Sequence, residues 1–364
     1  MLKIKTYLRG AFASLLPALL TIGLAFLVGA LLLLLAGNDP LRAYQTLFRG
    51  AFGSAHRMAE TLVKATPLMI MALGTSVAFK AQIWNIGGDG QFILGAIFAV
   101  FVALNFPLPA VLLLPLTFLA AFLGGALWGG LVGVLRAKFN ANEVITTLML
   151  NYVALYLLAW LVRGPMIDPK GHGFPQTPLI GEALRLPVLI PGTRLHFGLI
   201  IALLIIFAGY IFWRSTLGFT IELVGESEHV AQYSGIIVPK TIVLTMVISA
   251  GLAGVAGWSE VFGIHYRLLD DLAAGYGSLA IVVALLGDLK PFGIIISSFF
   301  FAALIVGGNT MQRLVGIPFS LVDVIQGLVI IFVISRVVYT QWRDRLAVKH
   351  FNRGVSDKSV SGSY

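Results

Sequence analysis

The sequence predicts an all-α, polytopic membrane protein with about ten transmembrane helices. Of its 364 residues, 58% are hydrophobic and only 11% are charged, whereas a soluble protein of this size carries about 25% charged residues. The mean hydropathy of +0.93 reflects apolar runs that recur along the whole chain. The polar stretches between these runs are short, so no sizeable soluble domain is expected.

About 20 apolar residues are needed to cross a bilayer as a helix. The first apolar run follows three basic residues, as in a signal sequence, but it exceeds the roughly 7–15 residues of a cleavable apolar region. We therefore expect an uncleaved first span. The predicted spans, of which two are short, are Leu15–Leu35, Pro67–Phe79, Trp84–Asn105, Leu108–Leu135, Glu143–Val162, Phe197–Trp213, Thr241–Phe262, Gly277–Gly287, Pro291–Gly307 and Phe319–Val338.

Basic residues indicate which ends of the spans are cytoplasmic. If the N-terminus lies inside, more than half of the 25 Lys and Arg residues fall on inside segments, although the two longest loops lie outside. Shifting the assignment by one span would put the basic C-terminal tail outside. Both termini are therefore predicted to be cytoplasmic.

A transmembrane domain is predicted over residues 1–340, followed by a partly disordered cytoplasmic tail over 341–364. Its long connections are two outer loops and one cytoplasmic loop, at residues 37–66, 163–195 and 214–240 respectively.

The two outer loops differ in pattern. In the first, Leu41, Tyr44, Leu47 and Phe48 recur at helical spacing, which predicts a helix lying in the outer membrane interface. The second is rich in Pro and Gly, so we expect turns to order it without a hydrophobic core.

The order of the spans indicates internal symmetry. The second to fifth spans begin outside, whereas the seventh to tenth begin inside. Each set contains one short, polar-interrupted segment, around Lys80–Gln91 and around Gly287–Gly293. Interrupted helices at corresponding places in two halves favour an inverted pseudo-repeat with a transport path at its interface.

The sequence Asn-Ile-Gly-Gly-Asp-Gly-Gln at Asn85–Gln91 lies at or beside membrane depth. Its glycines interrupt a helix and expose backbone groups, which membranes tolerate only where protein or a water-filled cavity satisfies them. Asp89 is predicted either to cap the next helix or to contact a substrate. Together with polar residues of other spans, the candidate substrate-pathway residues are Asn85, Asp89, Gln91, Asn151 and Glu260.

Two glycine patterns predict close helix packing. Gly125, Gly129 and Gly133 recur every four residues in one span, and Gly251, Gly254 and Gly257 recur every three residues in another. Small residues on one face let helices approach until their backbones touch.

Sequence motifs of several enzyme classes are absent from the chain. There is no P-loop, no HExxH and no serine-nucleophile elbow, and the chain has no cysteine. The net charge of +9 is spread over span ends, which fits lipid headgroups rather than nucleic acid. We therefore expect no enzyme activity, metal or cofactor on this chain, and any ATP must bind a partner.

The longest polar stretch between spans is Arg214–Lys240. Ser227 can cap a short helix over Glu228–Ser234, and Gly235 can end it in the left-handed conformation. Its apolar residues, framed by Glu226 and Glu228, are predicted to form an exposed knob of Val230, Ala231 and Tyr233. The alternative interpretation is a solvated loop.

Eight segments carry a resemblance to a known family: Asn38–Tyr44, Gly50–Ser54, Trp84–Gln91, Asn142–Leu157, Leu161–Pro165, Val224–Ile236, Ile248–Gly257 and Ala280–Gly293. They resemble the permease subunits of ATP-binding cassette (ABC) importers for simple sugars, nucleosides and branched-chain amino acids, above all the nucleoside-type permeases paired with a basic-membrane-protein-like lipoprotein. The chain departs from the usual pattern of that family at Trp84, where Phe is usual, and at Gly88-Asp89, where Ala-Glu is usual.

The resemblance implies a type II ABC importer fold in a bacterial inner membrane. It implies three partners: an ATPase subunit that binds ATP and Mg, a second homologous permease, and an extracytoplasmic substrate-binding lipoprotein. It also implies that the polar stretch holds the coupling helix seated in the ATPase. The residues assigned to this coupling are Glu222, Gly225, Glu226, Ser227, Val230, Ala231, Tyr233 and Gly235.

The function expected from residues and resemblance together is nucleoside uptake driven by a partner ATPase. A simple-sugar permease of the same group is the main alternative. A proton-coupled secondary carrier is a further one, although the spans lack the paired central carboxylates or His relay expected of it.

Overall fold

The computed structural model describes residues 23–335 except 274, 319, 329–330 and 333–334. The N-terminal basic residues, the start of the first predicted span, the end of the last one and the tail over 341–364 lie outside the described residues. The helices are α1 Gly23–Leu35, α2 Pro40–Phe52, α3 Ala55–Lys80, α4 Gly88–Asn105, α5 Ala110–Phe139, α6 Glu143–Arg163, α7 Gly198–Phe212, α8 Thr216–Glu226, α9 Glu228–Tyr233, α10 Val238–Glu260, α11 Tyr276–Leu286, α12 Pro291–Val315 and α13 over 320–328.

The regular elements of the described residues are helices, which confirms the all-α class. Six of the described helices are long and apolar enough to cross a membrane, or seven if α7 and α8, which meet at 71°, form one bent span. At 1.5 Å per residue the 11 residues of α11 extend only about 16 Å, against about 30 Å of hydrocarbon. The count of ten full spans is therefore not confirmed.

The first outer loop, predicted over 37–66, is largely helical. It contains α2 and the first turns of α3, whose N-terminus is capped by Ser54. The prediction started this span at Pro67, which left Glu60 and Lys64 in the preceding loop. In the structure both are paired, Glu60 with Arg194 at 2.9 Å and Lys64 with Glu260 at 3.3 Å, so the helix continues through them.

The predicted interfacial helix exists as α2, but its apolar face is only partly covered. Leu47 is buried, and its carbonyl lies against Gly307 of α12. Leu41 and Phe48 remain exposed.

The centre of the larger compact unit, Gln45–Met311, is a tightly packed group of α3, α4, α5 and α10. A methyl group on Gly125 would lie 2.2 Å from the carbonyl oxygen of Ala250, and one on Gly95 would lie 2.2 Å from the Cα of Gly254. These helices touch backbone to backbone, which confirms the packing predicted from the glycine patterns.

The Pro- and Gly-rich segment between α6 and α7 lies alongside the residues that come after α10 and is hydrogen-bonded to them. The backbone N–H groups of Ile180 and Leu186 donate to the carbonyl groups of Tyr266 and Phe262, each at 2.9 Å. Ile180, Leu184 and Leu186 are buried. The expectation of a segment without a core was therefore wrong, because apolar residues between its prolines pack inward.

The smaller unit comprises residues up to Tyr44 and from Gln312 onward. Within it, the Tyr44 hydroxyl donates to the Phe26 carbonyl at 2.6 Å, and their rings meet edge to face. Gly29 of α1 packs against Ile325 of α13.

Candidate functional site

The interruption predicted around Lys80–Gln91 is a nonhelical stretch over 81–87 between α3 and α4. It begins at Ala81, and Gln82 adopts the left-handed conformation. Asn85, near its end, is buried. A buried, nonhelical backbone needs partners for its polar groups, and side chains supply them here.

Asn85 and Gln91 form a reciprocal pair of amides. Asn85 Nδ2 donates to Gln91 Oε1 at 3.0 Å, and Gln91 Nε2 donates to Asn85 Oδ1 at 2.8 Å. Asn85 also donates to the Ser249 hydroxyl of α10 at 2.9 Å and accepts from the Gly87 N–H at 3.1 Å. These bonds fold the interruption onto the first turn of α4 and attach it to α10.

Asn151 of α6 supports the same stretch from the other side. Its Nδ2 donates to the Ile86 carbonyl at 3.0 Å, and its Oδ1 accepts from the Gly90 N–H at 2.8 Å. The side chain thus acts as a peptide group would, satisfying one acceptor and one donor at the start of α4.

Asp89 binds a different helix from the one that contains it. Its Oδ1 accepts from the Gly277 N–H in the first turn of α11 at 2.7 Å. Gly88 and Gly277 are close enough that a methyl group on Gly88 would lie 2.9 Å from the Gly277 Cα. The N-termini of α4 and α11 therefore meet at the Asp89 carboxylate, where both helix dipoles favour negative charge. The carboxylate does not cap α4, which begins after Gly87 without a side-chain cap.

Glu260 lies in a buried polar cluster at the end of α10. It is 1% exposed, so it does not line an open cavity in this structure. Its Oε1 is 3.3 Å from Lys64 Nζ and 3.4 Å from His265 Nε2. Lys64 in turn donates to the Tyr276 hydroxyl at 2.8 Å. The cluster thereby joins α3, α10 and α11.

The polar stretch after α7 contains two helices, α8 and α9. The Ser227 hydroxyl accepts from the Val230 N–H at 3.3 Å, as predicted for the cap of α9. Gly235 has a φ of +79°, and the Ile236 N–H donates to the Ala231 carbonyl at 3.0 Å. This is the Schellman arrangement that ends a helix at a glycine. The short capped helix was predicted to within one residue, and the loop alternative was wrong.

The exposed face of α9 is smaller than the predicted knob. Tyr233 is 94% exposed and Val230 is 51% exposed, and Glu226 and Glu228 are also exposed. Ala231 is fully buried, because its position turns it toward the body of the protein. Ala231 therefore anchors α9 and does not belong to the exposed knob.

Glu222 and Gly225 attach α8 to the end of α3. Glu222 Oε1 accepts from Lys80 Nζ at 3.2 Å. A methyl group on Gly225 would lie 2.0 Å from the Lys80 carbonyl oxygen, so the two backbones are in contact. Both residues were selected from the sequence as ATPase-coupling residues, and the structure places them against α3.

One hydrophobic cluster connects α9, α8 and the interruption. Ala231 of α9 and Ile221 and Val224 of α8 are buried together with Ala81 and Ile83 of the nonhelical stretch. Sequence reasoning missed Ile221 and Val224, although their spacing of three residues marks a helical face. It did not select Ser249 and Lys80 as site residues, because their roles depend on partners far away in the chain.

Comparisons with a family model and with individual proteins both find similarity to transport permeases. Residues 57–334 match the family described as "Branched-chain amino acid transport system / permease component". The glucose ABC transporter permease protein TsgB13 of Haloferax volcanii is 37% identical over 90% of this chain and 89% of its own length. The guanosine ABC transporter permease protein NupP of Bacillus subtilis is 35% identical over 89% of this chain and 94% of its own. The nucleoside ABC transporter permease protein NupB of Lactococcus lactis is 34% identical over 86% of this chain and 89% of its own.

The family match covers more than half of the residues, and the relatives align over most of both chains. The matched region includes nearly all of α3 and the whole of α4 to α12, and hence the interruption, α8 and α9. The chain belongs to the family of branched-chain amino acid-type transport permeases and is an ABC transporter permease, a transport subunit and not an enzyme.

Proposed function

We propose that this chain is the membrane-spanning subunit of an importer that carries nucleosides across the bacterial inner membrane, driven by a partner ATPase. NupP and NupB, whose names specify guanosine and nucleosides, align with nearly the whole chain and support this substrate class. TsgB13 is named for glucose, so a simple-sugar permease is the second candidate.

The observation that carries the proposal is the hydrophobic cluster shared by α9, α8 and the interruption. The exposed residues of α9, with Tyr233 at their centre, would seat in the ATPase. Ala231 would pass a displacement of α9 to α8, and the Glu222 and Gly225 contacts would pass it to the end of α3. The nonhelical stretch that follows α3 would then move.

The substrate path would open beside the junction of α4 and α11. Interrupted or short helices whose N-termini meet inside the protein are typical of transporter sites at a repeat interface. In this scheme Asn85, Gln91 and Asn151 position the junction, Asp89 joins its two helices, and Glu260 closes the neighbouring cluster. The two halves of an inverted pseudo-repeat would rock about this junction in a type II importer manner.

Three partners complete the proposed importer. A cytoplasmic ATPase would bind ATP and Mg and contact α9. A second homologous permease would form the other half of the path, and an extracytoplasmic lipoprotein would dock on the segments around α2 and between α6 and α7. Substrate affinity would reside in that lipoprotein, so weak contacts would suffice in the path.

The coupling role is tested with Tyr233→Asp in the assembled transporter. A charge at this exposed position should prevent seating, so the ATPase should no longer co-purify and ATP-driven uptake should be lost. Phe174→Asp, which alters an exposed aromatic residue between α6 and α7, is the matched control and should retain the ATPase. Normal uptake by Tyr233→Asp, or uptake by vesicles without ATP, would contradict the proposal.

The substrate class is tested separately. Guanosine with its binding protein should stimulate ATP hydrolysis in proteoliposomes, and glucose should not. Stimulation by glucose alone would favour the sugar permease. Loss of uptake with a proton ionophore at constant ATP, with no ATPase present, would favour a secondary carrier.

A further inference from the structure

A groove of about 370 Å³ lies between the ends of α5 and α10 that are nearest to α9. This volume is within the 300–1,000 Å³ typical of sites for small organic ligands. Apart from two lysine stems its walls are apolar, formed by Val134, Ala137, Pro239, Val243, Leu244 and Val247.

The groove is built by helical spacing. On α5, Val134 is followed at i+3 and i+4 by Ala137 and Lys138. On α10, Lys240 is followed at i+3 and i+4 by Val243 and Leu244. Residues at these spacings share a helix face, so both apolar faces end in a lysine at the same side of the groove.

Both ammonium groups are left unpaired by the residues that the structure describes. Lys138 and Lys240 are exposed, and neither has a hydrogen-bond or ion-pair partner within the part of the chain that the structure describes. Neighbouring cations are engaged, since Arg136 lies 3.5 Å from Glu143 and Lys80 lies 3.2 Å from Glu222. A ligand complementary to this groove would have an anionic group near the two lysines and a hydrocarbon chain along the apolar walls.

A second apolar groove provides an internal comparison. It has a volume of about 300 Å³, and its lining includes Leu73, Ile205 and Trp213. The cation next to it, Lys80 over the Trp213 ring, is already bound to Glu222. Charge complementarity therefore distinguishes the groove between α5 and α10.

We propose that this groove binds an anionic phospholipid, with one acyl chain between α5 and α10 and the headgroup phosphate between Lys138 and Lys240. The membrane leaflet on the side of α9 is the source of the lipid. Lysine stems lie along apolar surface while their charged ends reach the headgroup layer, as the lining requires. The proposal concerns a lipid site that is independent of the transported substrate.

The test is native mass spectrometry of the purified full chain with added phosphatidylglycerol or phosphatidylcholine of identical acyl chains. Lys138→Gln/Lys240→Gln should bind phosphatidylglycerol about 30-fold more weakly. This follows from about 1 kcal/mol for each basic residue at an anionic surface and 1.4 kcal/mol for each tenfold change in affinity. Phosphatidylcholine binding should be weak and unchanged.

Two further variants separate the groove from general attraction. Lys170→Gln/Lys290→Gln removes the same charge from exposed lysines away from the groove and should bind phosphatidylglycerol normally. Ala137→Trp keeps the charge but fills the groove, so it should lose the bound lipid while both lysines remain. Melting curves of each variant establish that it is folded.

The proposal is overturned by any of four results. These are equal weakening by both lysine pairs, phosphatidylcholine binding as tight as that of phosphatidylglycerol, unchanged binding in Ala137→Trp, or a change of oligomeric state in the groove variants that shows a second copy as the occupant.

Discussion

Among the glycines of α8 and the end of α9, Gly225 makes the closest contact. Its Cα lies so close to the end of α3 that a methyl group would be 2.0 Å from the Lys80 carbonyl oxygen. The partner atom is backbone, which cannot move aside as a flexible side chain can. The residue therefore determines how closely α8 follows α3.

Gly225→Ala should separate α8 from α3. Forcing an extra carbon into a packed contact typically costs about 1–3 kcal/mol, so the melting temperature should fall. Transport should fall further than ATP hydrolysis, because the displaced helix no longer moves the end of α3. Gly181→Ala is the control, since no atom lies within 4 Å of the added carbon. Equal melting and transport in both variants would show that the contact is unimportant.

His196 is a second residue whose surroundings determine its chemistry. It is 1% exposed, its Nδ1 accepts from the Gly198 N–H at 3.1 Å, and its ring lies against Gly198 and Gly263. Burial lowers the pKa of His196 from 6.5 to about 4. The native protein therefore keeps the imidazole neutral where the unfolded chain would protonate it.

Acid should destabilise the protein through His196. Since the unfolded chain binds the extra proton, stability is complete above about pH 6.5 and is lost as the pH falls toward 4, by an amount on the order of 3 kcal/mol. Thermal melting in detergent between pH 7.5 and 4.5 measures this loss. His196→Phe should flatten that part of the profile, whereas His172→Asn, at an exposed left-handed position, should not. An unchanged profile in His196→Phe would remove this residue as the cause.

At the scale of elements, the start of α4 is held by side chains from α6 and α10 and not by a cap of its own. Asn151 satisfies the Gly90 N–H and the Ile86 carbonyl together. Leaving a buried backbone group unpaired costs about 1–3 kcal/mol. Packing of α6 against the interruption therefore contributes to its order, together with the Asn85–Gln91 pair.

Asn151→Leu should therefore loosen the start of α4. We expect a lower melting temperature and loss of uptake, with the ATPase still bound because α9 is unaffected. Tyr152→Leu changes the neighbouring, exposed residue and should behave as the native protein. If Asn151→Leu melted and transported normally, the two hydrogen bonds of Asn151 would contribute nothing to stability or transport.

The same elements show what could be predicted from the sequence. The position of α9 follows from Ser227 and Gly235, because caps and stops act on their own neighbours in the chain. Asn85 and Asp89 were recognised as important, but their partners were not, since Ser249 is 164 residues from Asn85 and Gly277 is 188 residues from Asp89. The prediction placed Glu60 and Lys64 in a loop, whereas both lie in α3. Each is paired with a residue far away in the chain, and sequence alone does not show that pairing.

At the scale of the whole molecule, the orientation in the membrane decides whether α9 can meet a cytoplasmic ATPase. Phe174, between α6 and α7, precedes α7 and α8 in the chain, and Tyr233 on α9 follows them. If that bent pair crosses the membrane once, the two exposed residues lie on opposite sides. If it is re-entrant, they lie on the same side.

The absence of native cysteine makes this directly measurable. In intact cells a membrane-impermeant maleimide should label Phe174→Cys and not Tyr233→Cys, and inverted vesicles should give the opposite result. The expectation follows from the bias of basic residues toward cytoplasmic segments. Labelling of both from one side would make α7 and α8 a re-entrant pair, and the reversed pattern would turn α9 away from the cytoplasm. Labelling of Tyr233→Cys in intact cells would exclude the coupling path through Ala231, because an ATPase in the cytoplasm can contact α9 only if α9 lies on the cytoplasmic side.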